Sequence, residues 1–188
     1  MTEKEKRDKG MFFIPALDEN LDRELRECKD KCFEFNNLKP SLLEEKAKII
    51  RELFGKTGEK FLIEPPFWCD FGYNIEIGES FYANHNLVIL DGAKVKIGNN
   101  VYIAPDCGIY TAGHHMDETE RNKGYEFAYP VTIGNSVWIG AGTRILPGVT
   151  IGNNVVIGAG SVVTKDIPDN CVACGNPCRV MHKIKENG

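Results

Sequence analysis

The sequence lacks an excess of positive charge. In 188 residues, 23 Lys and Arg stand against 27 Asp and Glu, a formal net charge of −4. Nothing there would neutralise a phosphate backbone, so nucleic acid is not expected as a partner. The chain also lacks any apolar run near the ~20 residues of a membrane-spanning helix, so no membrane partner is expected. Its opening, MTEKEKRDKG, is charged and is not followed by an apolar stretch with a cleavage site; no secretory signal is expected. Cysteine is not scarce, but its count of 7 is odd. Reduced thiols in a cytoplasmic protein, rather than a disulfide framework, are the expectation. Apolar residues make up 42%, which excludes disorder and leaves enough for one sizeable core. The residue in surplus is glycine, with 19, against a typical ~7%.

Two periods divide the chain. In residues 1–60, Leu21, Leu25, Cys28, Cys32 and Phe35 recur at spacings of three and four, the stripe of an amphipathic helix. Ser41 and Glu44 resemble a capping box, and Leu43, Ala47, Ile50 and Phe54 form a second stripe that Gly55 would end. Two or three helices are predicted, with Pro65-Pro66 as the boundary. Beyond it the step becomes six. Ile133, Ile139, Ile145, Ile151, Ile157 and Val163 form one ladder, and Val131, Val137, Thr143, Val149, Val155 and Ser161 another two positions earlier. The first ladder also runs through Ile77, Ala83 and Ile89, then Ile97, Ile103 and Ile109, with two extra residues around Asp91-Gly92. Residues 113–130 are polar and interrupt it as a long excursion. A period of six fits neither a helix nor a meander. It predicts a parallel β-helix of hexapeptide repeats whose ladder residues point inward. Glycines after ladder residues would serve corners, through positive φ or lack of room.

With these ladders, the phrases PPFWCDFGYNIEIG (65–78), FYANHN (81–86), YTAGHH (110–115), PVTIGNSVWIGAG (130–142), VVTKDIP (162–168) and GNPCRV (175–180) resemble the hexapeptide-repeat acyltransferases. Within them the likeness is to sugar O-acetyltransferases of the maltose and galactoside type, and it extends to EFNNLKP (34–40) in the arm. The resemblance implies a mainly β fold: a left-handed parallel β-helix over residues 61–188, preceded by a helical arm over 1–60. It also implies a homotrimer with active sites between neighbouring β-helices, acetyl-CoA as donor, a sugar hydroxyl as acceptor, and no metal.

Residue by residue, the resemblance makes His114 the general base, a task an imidazole suits near neutral pH. It places Asn84 near the reacting centre, to hold the acceptor or an oxyanion, and Asp18, Asp70 and Asp91 on the acceptor side. Arg23, Arg26 and His115 are left without fixed roles. For the donor it indicates Trp138, Ala141 and Ala159 along the pantetheine channel, and Thr164, Lys165, Arg179 and His182 near the phosphates. Other readings carry less. Cys171, Cys174 and Cys178 are spaced for a metal, but tetrahedral zinc needs a fourth ligand, and buried thiols are expected. Cys28 and Cys32 read as core. The four histidines lack the spacing of the γ-type carbonic anhydrases. A non-sugar acceptor, or a scaffold without turnover, would share the same coils.

Overall fold

The computed structural model describes residues 1–184. Short strands joined at tight corners wind into a parallel β-solenoid, and successive coils lay their strands side by side in three sheets. The six-residue ladder becomes three interior columns. In one sheet Ile77, Ile97, Ile133 and Ile151 are register partners. In the second the column is Cys69, Ile89, Ile109, Ile145 and Val163. In the third it is Ala83, Ile103, Ile139, Ile157 and Ala173. Every one of these side chains is at most 5% exposed, and each large aliphatic one contributes roughly 1.5–3 kcal/mol. One coil takes 18 residues (Ile133 to Ile151). Across the excursion the partners are 36 apart (Ile97 to Ile133), so the excursion replaces one full coil and the numbering keeps its multiple of six.

The glycines behind the ladder answer crowding, not backbone φ. A Cβ on Gly98 would lie 2.7 Å from the Gly134 carbonyl oxygen, and one on Gly134 the same distance from Gly152 backbone. Positive φ falls instead on polar corner residues such as Asn100 (54°) and Asn154 (51°). A second ladder stands beside the glycines. The Oδ1 atoms of Asn99, Asn135, Asn153 and Asp169 accept the amides of Glu79, Asn99, Asn135 and Asn153, at 2.7, 2.8, 2.8 and 2.6 Å. Backbone donors that a corner would orphan are thereby satisfied. Two buried ladder hydroxyls, Thr143 and Ser161, donate to the carbonyls of Gly140 and Gly158 at 2.7 and 2.5 Å.

The arm holds α1 (Glu3–Asp8), α2 (Glu19–Asn37) and α3 (Leu43–Leu53). The expected stripe of α2 is buried at Leu21, Cys28, Cys32 and Phe35. The capping box expected at Ser41 and Glu44 is not formed: Leu42 caps α3, with no side-chain bond. Of the expected stripe, Ile50 and Phe54 are buried and Leu43 is exposed; the buried face of α3 is Lys46, Ile49, Ile50 and Leu53. A capping box does exist at Thr2 and Glu5 on α1, in the charged start. The arm closes the first coil. Asn36 Oδ1 accepts the Phe67 amide at 2.7 Å and its Nδ2 donates to the Phe67 carbonyl at 2.9 Å, pairing a strand edge that would otherwise be open.

The excursion is ordered as two antiparallel strands, Ala112–His114 and Glu126–Ala128, with α4 (Glu118–Asn122) between them. Phe13 of the arm pairs with Glu126 through both backbone groups, at 3.0 and 2.8 Å. Strands Cys171–Gly175 and Cys178–Lys183 form an antiparallel hairpin on the last coil. Among the described residues no helix is long and apolar enough to cross a membrane.

Candidate active site

His114 ends the first strand of the excursion, with Glu126 as its register partner. Its imidazole is 64% exposed, and Nδ1 stands 3.8 Å from Glu126 Oε1. Burial pushes the half-buried Glu126 carboxyl above its ordinary value; Asp70's charge adds to this and His114 opposes it. Asp70 itself pairs with Lys29 Nζ at 2.9 Å. Behind Asp70, the amides of Asp70 and Phe71 both donate to Asp91 Oδ1 at 2.9 Å. Glu126 was not anticipated. Its sequence trace is weak: in YEFAYP aromatic and non-aromatic residues alternate, as in a strand folding back, but no ladder marks it.

Two residues expected on the acceptor are held by hydrogen bonds within this chain. Asp91 is fully buried, and its carboxylate fixes the turn that presents Asp70. Burial pushes its carboxyl up to about 6, opposed by the Phe71 and Asp70 amides. Asp18 is 8% exposed; Oδ1 accepts the Asn20 and Leu21 amides as the N-cap of α2, and Oδ2 accepts the Lys4 amide. Those hydrogen bonds hold the Asp18 carboxyl below its ordinary value, the Lys4 amide foremost, against a smaller upward push from burial. Arg26 pairs with Asp22 at 3.0 Å and Arg23 with Glu27 at 3.8 Å, both on the exposed side of α2. His115 holds the excursion: its Nδ1 accepts the Asp117 amide at 3.0 Å, and its ring packs 4.5 Å from Phe12.

Asn84 lies at a coil corner, half-buried, with Oδ1 accepting the His85 amide at 2.8 Å. No hydrogen bond or ion pair joins it to His114 within the described residues of one chain. Two cavities of the chain, about 540 and 620 Å³, are lined without His114 or Asn84. His114 faces open surface.

The structure gathers part of the expected donor side. Tyr82, Tyr102, Trp138, Val156, Val172 and His182 are register partners on the outer face of the third sheet. Trp138 and Tyr102 are 56% and 51% exposed, a large aromatic surface with no cover in one chain. Ala141 and Ala159 occupy the same corner of adjacent coils, where the Gly160 amide donates to the Ala141 carbonyl at 2.7 Å. Thr164, Lys165 and Arg179 are exposed, and among the described residues neither cation has an ion-pair partner. Cys171 and Cys178 are buried and Cys174 half-buried. They are spread along the terminal hairpin, and among the described residues they do not converge as metal ligands, nor do the histidines.

Residues 130–165 match the bacterial transferase hexapeptide family (six repeats), and residues 6–58 match the maltose acetyltransferase hexapeptide capping motif. The chain is 52% identical to a solved maltose O-acetyltransferase from Clostridium difficile 630, covering 99% of each chain with a TM-score of 0.97. It is 45% identical to the galactoside O-acetyltransferase of Escherichia coli K12, over 94% of this chain and 87% of that one. A hexapeptide-repeat acetyltransferase from Vibrio cholerae, solved with acetyl-CoA, is 38% identical over 99% of this chain and all of its own, with a TM-score of 0.89.

Proposed function

The chain belongs to the hexapeptide-repeat acetyltransferases of the maltose and galactoside type, and on that premise we propose that it transfers acetyl from acetyl-CoA directly to a sugar hydroxyl, with His114 as general base. The observation that carries this reading is the His114–Glu126 pair. Glu126 faces Nδ1, which favours the tautomer whose proton sits on that nitrogen and leaves the Nε2 lone pair outward. The hydroxyl proton passes to Nε2 as the oxygen attacks the thioester carbonyl. The carbon–sulfur bond then breaks, and the leaving sulfur takes the proton back from His114. The products are an acetylated sugar and coenzyme A. Asn84 supplies an amide to the acceptor or the oxyanion, and Asp70 lies on the acceptor side. Trp138, Ala141 and Ala159 line the pantetheine path, with Thr164, Lys165, Arg179 and His182 toward the phosphates.

We further infer a homotrimer working in the cytoplasm. The exposed Tyr102–Trp138 face and the open surface at His114 support an active site completed by a neighbouring β-helix. Seven free thiols suit a reducing compartment. A panel of maltose, glucose and galactoside acceptors, scored for coenzyme A thiol release and for acetyl-sugar by mass, tests the reading. Acetyl-sugar is expected with no acetyl left on the protein. Release without any acetylated sugar, or an acetyl group trapped on a cysteine, would overturn it.

A further inference from the structure

We propose that Cys28, Cys32 and Cys69 form a binding site for a soft, thiolate-seeking metal ion, Zn(II) or Cu(I), at the joint between the helical arm and the first coil. Cys28 and Cys32 lie one turn apart on the inner face of α2, and Cys69 closes the strand Phe67–Cys69. The Sγ atoms of Cys28 and Cys69 are 3.5 Å apart, and those of Cys32 and Cys69 3.7 Å. All three sulfurs fall within 4.8 Å of one another, the one such convergence of His, Cys, Asp or Glu ligands among the described residues. Metal–sulfur bonds of about 2.3 Å place the sulfurs on a tetrahedral ion ~3.8 Å apart. The trio therefore stands close to ligand spacing. Two separate elements supply it, unlike Cys171, Cys174 and Cys178, which are strung along one hairpin.

The surroundings fit a cation bound by thiolates. Thiols give up their protons as they become ligands. Lys29 Nζ donates to the Cys69 carbonyl at 3.0 Å and pairs with Asp70 at 2.9 Å, placing a positive charge against the negative excess of three thiolates. Cys28 lines the 540 Å³ cavity together with Glu24, Glu27, Asp30, Lys31, Glu34 and Glu52, and a cleft with that acidic excess concentrates cations. Soft sulfur ligands select Zn(II) or Cu(I) over Mg(II) or Ca(II), and Zn(II) on these three sulfurs would take solvent as its fourth ligand. An ion held there would clamp α2 to the first coil, using no residue that the proposed transfer step uses.

The test is titration of the reduced chain, kept in a non-thiol reductant, with Zn(II) alone and Cu(I) alone against a chromophoric chelator, and with Co(II) as a spectroscopic probe. One equivalent of Zn(II) or Cu(I) is expected, whichever arm gives it identifying the ion, with a thiolate-to-cobalt charge-transfer band and a raised Tm. Cys28→Ser and Cys69→Ser should each weaken binding by at least ~10-fold, while Cys171→Ser should bind as the parent does. Acetyltransferase activity of the serine variants checks that they are folded. Should a variant fail to fold, alkylation protection of the parent cysteines by the bound ion serves in its place. Less than a tenth of an equivalent of both ions, or unchanged binding by folded Cys69→Ser, would overturn the site.

Discussion

Replacing Asp91 by Asn should change how stability depends on pH, with a sign and size set by burial. The Asp91 carboxyl is fully buried and is pushed from 3.8 up to about 6, chiefly by desolvation. Oδ1 accepts two amides, while Oδ2 has no partner. A carboxyl whose folded value exceeds its unfolded value holds its proton more tightly when folded. Below pH 4 both states are protonated and there is no penalty. Between pH 4 and 6 the unfolded chain ionises first, so stability falls as pH rises, and above 6 the loss levels off. At 1.36 kcal/mol per pH unit, the penalty at neutral pH is about 3 kcal/mol. Asn keeps the shape and the amide acceptor but cannot ionise. Urea unfolding at pH 4, 5, 6 and 7, at one protein concentration and with chelator present, measures both chains. Asp91→Asn should gain about 3 kcal/mol over the parent between pH 4 and 7. Two parallel stability curves would refute the reasoning.

Three other variants probe the remaining links. Gly134→Ala places a Cβ 2.7 Å from Gly152 backbone, and overpacking of this kind should cost about 1–3 kcal/mol; an unchanged Tm would deny that coil stacking requires the glycine. Asp18→Ala removes the cap of α2 and the link to Lys4, costing about 1–2 kcal/mol; steady-state kinetics should show an unchanged KM for the sugar, and a raised one would return Asp18 to the acceptor. Lys165→Ala with Arg179→Ala should raise KM for acetyl-CoA, more at low salt, and leave kcat alone; a lowered kcat with constant KM would place them elsewhere.

The coils were legible because a six-residue period admits few structures: every third rung faces inward on the same sheet, so Ile133 and Ile151 had to be neighbours. What the glycines do was half legible, since sequence alone does not distinguish crowding at Gly134 from a positive φ. The α2 face was legible from its stripe, and the α3 face only in part: Ile50 and Phe54 are buried as expected, while Leu43 is exposed. At the proposed site, the phrase YTAGHH singles out His114. Glu126 was not singled out, because its pairing with His114, twelve positions away, depends on a hairpin that carries no ladder. Asp91 shows another limit: the resemblance placed it on the acceptor side, and no residue pattern revealed the two backbone amides that its carboxylate accepts. The Cys28–Cys32–Cys69 cluster was half visible, as two thiols a turn apart; the third arrives from another element.

The central claim is that His114 takes the proton from the attacking hydroxyl. The most direct measurement is kcat of His114→Ala with acetyl-CoA and the best sugar acceptor, in protein whose Tm matches the parent. Loss of a positioned general base should lower kcat by about 10²–10⁴, with KM for acetyl-CoA little changed. Acetylation at near-parental rate by folded His114→Ala would contradict the account.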